Sequence, residues 1–147
     1  KGQILFENHK INEAESVLKK AIELAPRNAL ILTAYGQSLV SQESDSKMQE
    51  AVTVLSEAIK YEPDNSFAWF NLARAYSWLE NEPMANLASA ERFYSAGHAI
   101  KAMQYAVRAS QSLPHGSPDW LRSQDIIVAV EPYAQEQRRR NNNRQRR

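Results

Sequence analysis

Apolar positions recur with a helical period through most of the chain, and almost nothing alternates with the period of two that a half-buried strand requires. The pattern breaks at Asn8-His9, Pro26-Arg27-Asn28, Ser41 to Lys47, Pro63-Asp64-Asn65, Asn81-Glu82-Pro83, Ala96-Gly97-His98 and Pro114 to Pro118, and it fades near Glu131. These breaks predict eight helical segments, most of about 12 to 17 residues, joined by connections short enough to force antiparallel neighbours.

A spacing repeats inside this pattern. An Ala is followed seven residues later by an Ala and five residues after that by a Pro, as Ala14/Ala21/Pro26, Ala51/Ala58/Pro63 and Ala102/Ala109/Pro114. Each proline is unable to extend the hydrogen-bond ladder and so marks the end of a helix. Asn28, Asn65 and Ser117 follow closely and can accept the free amides of the next helix, and Asp45 or Ser46 can do the same for the fourth. Beyond the prolines come Leu32, Trp69 and Trp120, then the pairs Tyr35-Gly36, Leu72-Ala73 and Ser123-Gln124, then Leu39, Tyr76 and Ile127, all at matching offsets. A large residue, a large-small pair and another large residue make a face that meets its partner at close backbone approach. These residues resemble the tetratricopeptide repeat, a pair of antiparallel helices recurring at about 34 residues. The resemblance implies an all-α fold: a right-handed α-solenoid of about three and a half repeats plus a capping helix, over residues 1–134.

The departures from the period carry information too. Pro26 and Pro63 lie 37 residues apart, with the surplus in the polar loop Ser41 to Ser46. Pro63 and Pro114 lie 51 residues apart, about one and a half periods, so the helix from Met84 to Ser95 is an extra half repeat or a diverged one. Ser123 and Gln124 replace the large-small pair in the last unit, as a terminal helix with a wet outer face would. Lys1 is not an initiator Met, and Gly2-Gln3-Ile4-Leu5-Phe6 reads as the second half of a helix, so the chain is expected to be part of something longer.

Composition narrows the function classes. The 147 residues suffice for a continuous core, and the absence of Cys excludes disulfides and thiolate metal sites while leaving the redox compartment open. The net charge of +1 hides an asymmetry: six Arg lie in the last ten positions, leaving a body of 12 basic and 17 acidic residues with a formal charge of −5. An acidic body argues against a nucleic-acid surface along the solenoid. No apolar run reaches the roughly 20 residues that span a bilayer, and no signal-peptide pattern opens the chain. Residues 135–147 lack apolar side chains and are expected to be a disordered Arg/Asn-rich tail. That tail reads as a solvated end, as an arm for anionic membrane or nucleic acid, or as a strap on the acidic body. The first is favoured, because no aromatic residue interleaves the Arg.

Catalytic material is sparse. His9, His98 and His115 lie in three different breaks, far from any carboxylate at ligand spacing, so no metal or cofactor is expected. There is no His-Glu-x-x-His, no Gly-rich phosphate loop and no Gly-x-Ser-x-Gly, and the chain reads as a binding scaffold rather than an enzyme. Pairs such as Glu13/Glu15 and Glu80/Glu82 point to different helix faces and read as solvated surface.

In tetratricopeptide arrays the first helix of each pair lines a concave groove. By that resemblance the candidates are Leu30, Thr33, Gln37 and Val40 in the second unit and Phe67, Phe70, Asn71, Arg74 and Trp78 in the third. The third unit is richer in the aromatic and Arg types that concentrate binding energy. The partner-binding set is therefore Gln37, Phe67, Phe70, Asn71, Arg74 and Trp78, with packing against the neighbouring repeat an equal alternative for Phe67 and Trp78. A chaperone-type carboxylate clamp is disfavoured, since Thr33 and Gln37 stand where convergent Lys or Asn would be needed.

Two stretches, Pro83-Met84-Ala85-Asn86-Leu87-Ala88-Ser89-Ala90-Glu91 and Pro114-His115-Gly116-Ser117-Pro118-Asp119-Trp120-Leu121-Arg122-Ser123-Gln124-Asp125, resemble something narrower. They are similar to the C-terminal repeat domain of periplasmic zinc metallopeptidases of the BepA type. The resemblance implies a non-catalytic interaction domain in the cell envelope, docked on an upstream peptidase domain and recruiting outer-membrane assembly partners or misfolded substrates. None of that family's zinc ligands or its catalytic Glu maps onto this chain. The alternative is a free-standing scaffold or co-chaperone adaptor; the location implied by the resemblance is periplasmic, with the cytoplasm left open.

Overall fold

The computed structural model describes residues 2–147, with side-chain surroundings from Glu7 onward. Seven helices follow in order, α1 (Gly2–Leu24), α2 (Ala29–Val40), α3 (Asp45–Tyr61), α4 (Ser66–Trp78), α5 (Glu82–Ser95), α6 (Ala99–Ser112) and α7 (Pro118–Gln145), with no strand among the described residues. The predicted eighth segment is absent because α1 runs unbroken through Asn8-His9. Asn and His cost only about 0.6 kcal/mol each in a helix relative to Ala, and His9 reaches Glu13 one turn on at 3.1 Å. Without Pro or Gly there is nothing to stop the ladder.

The caps explain the other boundaries. Ile31, Ala68 and Trp120 donate their amides to the side chains of Asn28, Asn65 and Ser117 at 3.2, 3.0 and 3.2 Å. At α3 the cap is Ser44, which accepts from the Lys47 amide, and not Asp45 or Ser46. Asp45 sits one position further in, where its charge favours the positive end of the helix.

Each helix packs on the next, and two further contacts give the stack its phase. The α2 backbone also comes close to α4 and that of α5 to α7, whereas the described residues show no such approach of α3 to α5 or of α4 to α6. A regular alternation would line one side with α2, α4 and α6. Here that side passes from α2 and α4 to α5 and α7, so the half-repeat surplus switches the phase between α4 and α5. The junction is Leu79-Glu80-Asn81: Glu80 takes a left-handed conformation at φ 59°, the Asn81 amide donates to the Tyr76 carbonyl at 2.9 Å, and the Asn81 side chain caps α5.

The core divides within α5, just beyond that turn. One cluster joins Tyr35, Leu39, Met48, Leu55 and Leu72 of α2 to α4 with Ala88 of α5, and the other joins Leu87 and Ala90 of α5 to Leu113, Ile126 and Val130 with the small residues Ala102, Ala106 and Ala109. Ala51, Ala58, Ala102 and Ala109 are fully buried at the helix crossings, as the repeat spacing predicts. Ala14 is exposed, because it lines an open depression between α1 and α2.

Two expectations for α7 are overturned. Ser123 is fully buried rather than wet, and its hydroxyl donates to the Trp120 carbonyl at 2.5 Å, which lets a polar residue occupy a core position without an unsatisfied group. Residues 135–145, expected to be disordered, continue the helix past the exposed Pro132. Gln, Glu and Arg are good helix formers, Ala134 is buried, and Glu136 pairs with Arg140 at 2.6 Å. Low hydrophobicity removes a reason to pack but does not remove helix propensity.

Candidate functional site

The aromatic face of α4 opens onto a shallow depression of about 480 Å³ where α4 and α5 diverge. Phe70, Ala73, Arg74, Ser77 and Trp78 line it from α4, and Ser89 and Arg92 from α5. Helix α4 turns this face outward because Ala68, Leu72 and Ala75 take the opposite side into the core. Phe67 and Phe70 tilt against each other with centroids 6.3 Å apart. The Arg74 guanidinium lies 5.7 Å from the centre of the Phe70 ring, and Arg92 reaches the same ring at 4.5 Å. Trp78 is 43% exposed and anchored at one point, its indole N–H donating to Asp45 Oδ1 at 2.9 Å. A tethered, half-exposed indole presents area at little entropic cost.

The structure brings together Phe70, Arg74 and Trp78, with Phe67 beside them and 45% exposed. Asn71 does not belong to the surface: it is fully buried, its Nδ2 donates to the Phe67 carbonyl at 3.0 Å, and its Oδ1 has no donor. Position 71 falls one step round the helix from Phe70, on the side that meets the core. Gln37 is exposed, but it lines a separate depression of about 420 Å³ between α1 and α2 with Lys10, Ile11 and Leu18. Val40 and Thr33 are buried, the latter donating to the Ala29 carbonyl and accepting from Asn65 Nδ2 at 3.2 Å, while Leu30 stays exposed.

Sequence reasoning missed Ser89 and Arg92, because it treated the helix after Met84 as an extra half repeat or a diverged one. The phase switch carries that helix onto the groove side. Its register is held by Glu91, only 4% exposed, whose carboxylate accepts from Arg122 Nε and, at 3.1 Å, from Nη2 on α7. That bond keeps the Arg122 guanidinium above its ordinary pKa, and the forked pair ties α5 to α7 directly behind Arg92.

At the opposite end, Glu15 on α1 receives Lys47 Nζ at 2.8 Å, Gln42 Nε2 at 2.8 Å and Lys19 Nζ at 3.2 Å. The Lys47 hydrogen bond is the main cause that lowers its pKa to about 2, against the opposing effect of burial. This cluster ties α1 to the α2–α3 turn. Among the described residues no group of three or more His, Asp or Glu converges as a metal site would, and no helix is long and apolar enough to cross a membrane.

Stacked antiparallel helices define an α-helical repeat protein of the solenoid class. Two family models, each described as tetratricopeptide repeat, match residues 1–28 and 54–104. Together they cover more than half of the chain, which belongs to the tetratricopeptide repeat family. No curated protein matches it.

Proposed function

We propose that this chain is a non-catalytic protein-interaction domain that receives a polypeptide partner in the depression between α4 and α5. The observation that carries the reading is the convergence of Phe70, Arg74, Trp78 and Arg92 on one accessible surface. Aromatic and Arg side chains are the types that dominate interface energetics. Tetratricopeptide repeats are protein-binding scaffolds, which supports a polypeptide occupant.

The setting is a cell-envelope zinc metallopeptidase, with the repeats periplasmic and positioned against their own upstream peptidase domain. The likeness of residues 83–91 and 114–125 to BepA-type proteins supports this part, and it gives the α4–α5 junction its role of recruiting or positioning protein partners for the peptidase. Reading the parent gene upstream of Lys1 tests it: a His-Glu-x-x-His helix is expected, and an initiator Met directly before Lys1 would remove it.

The groove is tested in the whole protein by placing a photo-crosslinking phenylalanine analogue at Trp78 and identifying the captured polypeptide by mass spectrometry. Phe70→Ala with Arg74→Ala is expected to abolish capture and leave the helical melting transition in place. Undiminished capture in that variant would move the partner to another surface.

A further inference from the structure

Four cations on α4, α5 and α6 have no carboxylate partner among the described residues. Arg74, Arg92, Lys101 and Arg108 appear in none of the ion pairs among the described residues, although the chain as a whole has nearly as many acids as bases. The local sequence explains why. Helices α4 and α6 contain no Asp or Glu, and the only acids of α5 are Glu82 in its first turn and Glu91, which is committed to Arg122.

The four are held in one connected row by aromatic rings. Arg74 and Arg92 share the Phe70 ring, and Arg92 also lies 4.7 Å from the centre of the Phe93 ring. Lys101 approaches that same ring at 5.2 Å. Phe93 stacks on Tyr105 at 5.5 Å with an interplanar angle of 13°, and Arg108 sits 5.2 Å from the centre of the Tyr105 ring. A ring quadrupole orients a cation without neutralising it. The row is therefore a pre-positioned strip of four uncompensated positive charges running out of the Phe70 depression.

We infer that this strip binds an Asp/Glu-rich polypeptide segment, an inference that rests on the groove reading above and names the chemistry of its occupant. Charge complementarity selects an acidic ligand, and guanidinium forks suit carboxylates. A nucleic acid is the poorer fit. The ring faces that would stack on bases are already occupied by cations.

The test is fluorescence anisotropy of the full chain with a fluorescein-labelled Asp/Glu-rich peptide, against the same peptide with Asn/Gln in place of its acids, at low and high salt. Binding is expected for the acidic peptide alone, weakening with salt. Arg74→Gln with Arg92→Gln should weaken it about tenfold, the scale of two exposed charge-assisted contacts, with an unchanged melt. Arg138→Gln, Arg139→Gln and Arg140→Gln together should leave it intact. Absent binding, equal binding of the amide peptide, or loss confined to the variant at positions 138 to 140 would overturn the inference. Displacement by a single-stranded oligonucleotide at equal charge concentration would also overturn it, in favour of a general polyanion site. If the acidic peptide fails while crosslinking at Trp78 still depends on Phe70, the charge assignment falls and the groove stands.

Discussion

Gly36 on α2 lies against the branched end of Leu55 on α3, so closely that a Cβ at position 36 would fall inside the van der Waals envelope of Leu55 Cγ and Cδ2. This contact is the close approach that the large-small pair Tyr35-Gly36 exists to allow. Leu55 is fully buried and held by Leu39, Leu72 and the small residues of the same cluster, so it has little room to yield. Gly36→Ala gains about 1 kcal/mol of helix propensity but incurs overpacking of about 1–3 kcal/mol and a shift of two helices. The expected result is a net destabilisation, read as a lower urea midpoint at unchanged m-value. Leu55→Ala in the Gly36→Ala background should recover part of the coupling, and strict additivity of the two changes would show that they do not touch.

The Glu91–Arg122 pair predicts an asymmetry. Arg122 is 43% exposed in its side chain whereas Glu91 is 5% exposed. Arg122→Gln strands a buried carboxylate and should destabilise by about 2–4 kcal/mol, whereas Glu91→Gln leaves an Arg that can turn to water and should cost about 1 kcal/mol. Thermal melts of the two variants check the order, and equal losses would contradict it.

Acid should act through Glu15. Its folded pKa lies near 2, below the ordinary value of 4.5, so its contribution is present in full above about pH 4.5 and fades as pH falls toward 2. The stability gap between the native chain and Glu15→Gln is expected to be about 1–3 kcal/mol at pH 7 and to shrink through that window. Lys47→Met should remove most of the same pH-dependent component, because Lys47 is the main cause of the lowered value. A gap constant from pH 7 to pH 3 would show that ionisation of Glu15 carries none of it.

Glu80 holds φ 59° at the turn where the phase of the stack changes. Left-handed backbone is costly for a residue with a Cβ and free for Gly. Glu80 is exposed and makes no side-chain contact that the turn needs, so Glu80→Gly should stabilise by a few tenths to about 1 kcal/mol, offset in part by a floppier unfolded chain. A raised melting temperature with unchanged acidic-peptide binding is the expected outcome, and a lowered one would mean that the turn relies on the Glu80 side chain.

Much of this molecule is written locally. Prolines at 26, 63 and 114, the caps Asn28, Asn65 and Ser117, and the small residues at 51, 58, 102 and 109 act through backbone sterics and nearest-turn hydrogen bonds, so their spacing determined helix ends, antiparallel pairing and the repeat family. Phe70, Arg74 and Trp78 were readable as one outward face for the same reason: they share a stripe of a single helix. What lies across helices was not readable. Arg92 joined the site and Asn71 left it because the α4–α5 turn fixes which sides of two helices face each other, and one residue of rotation separates surface from core. Position 123 reversed from wet to buried in a helix that packs on both α5 and α6, and spacing within α7 does not report that packing. The sequence determined the repeats, since periodicity is a property of one helix; the tertiary structure decided the phase, and with it the site, since phase is a property of pairs.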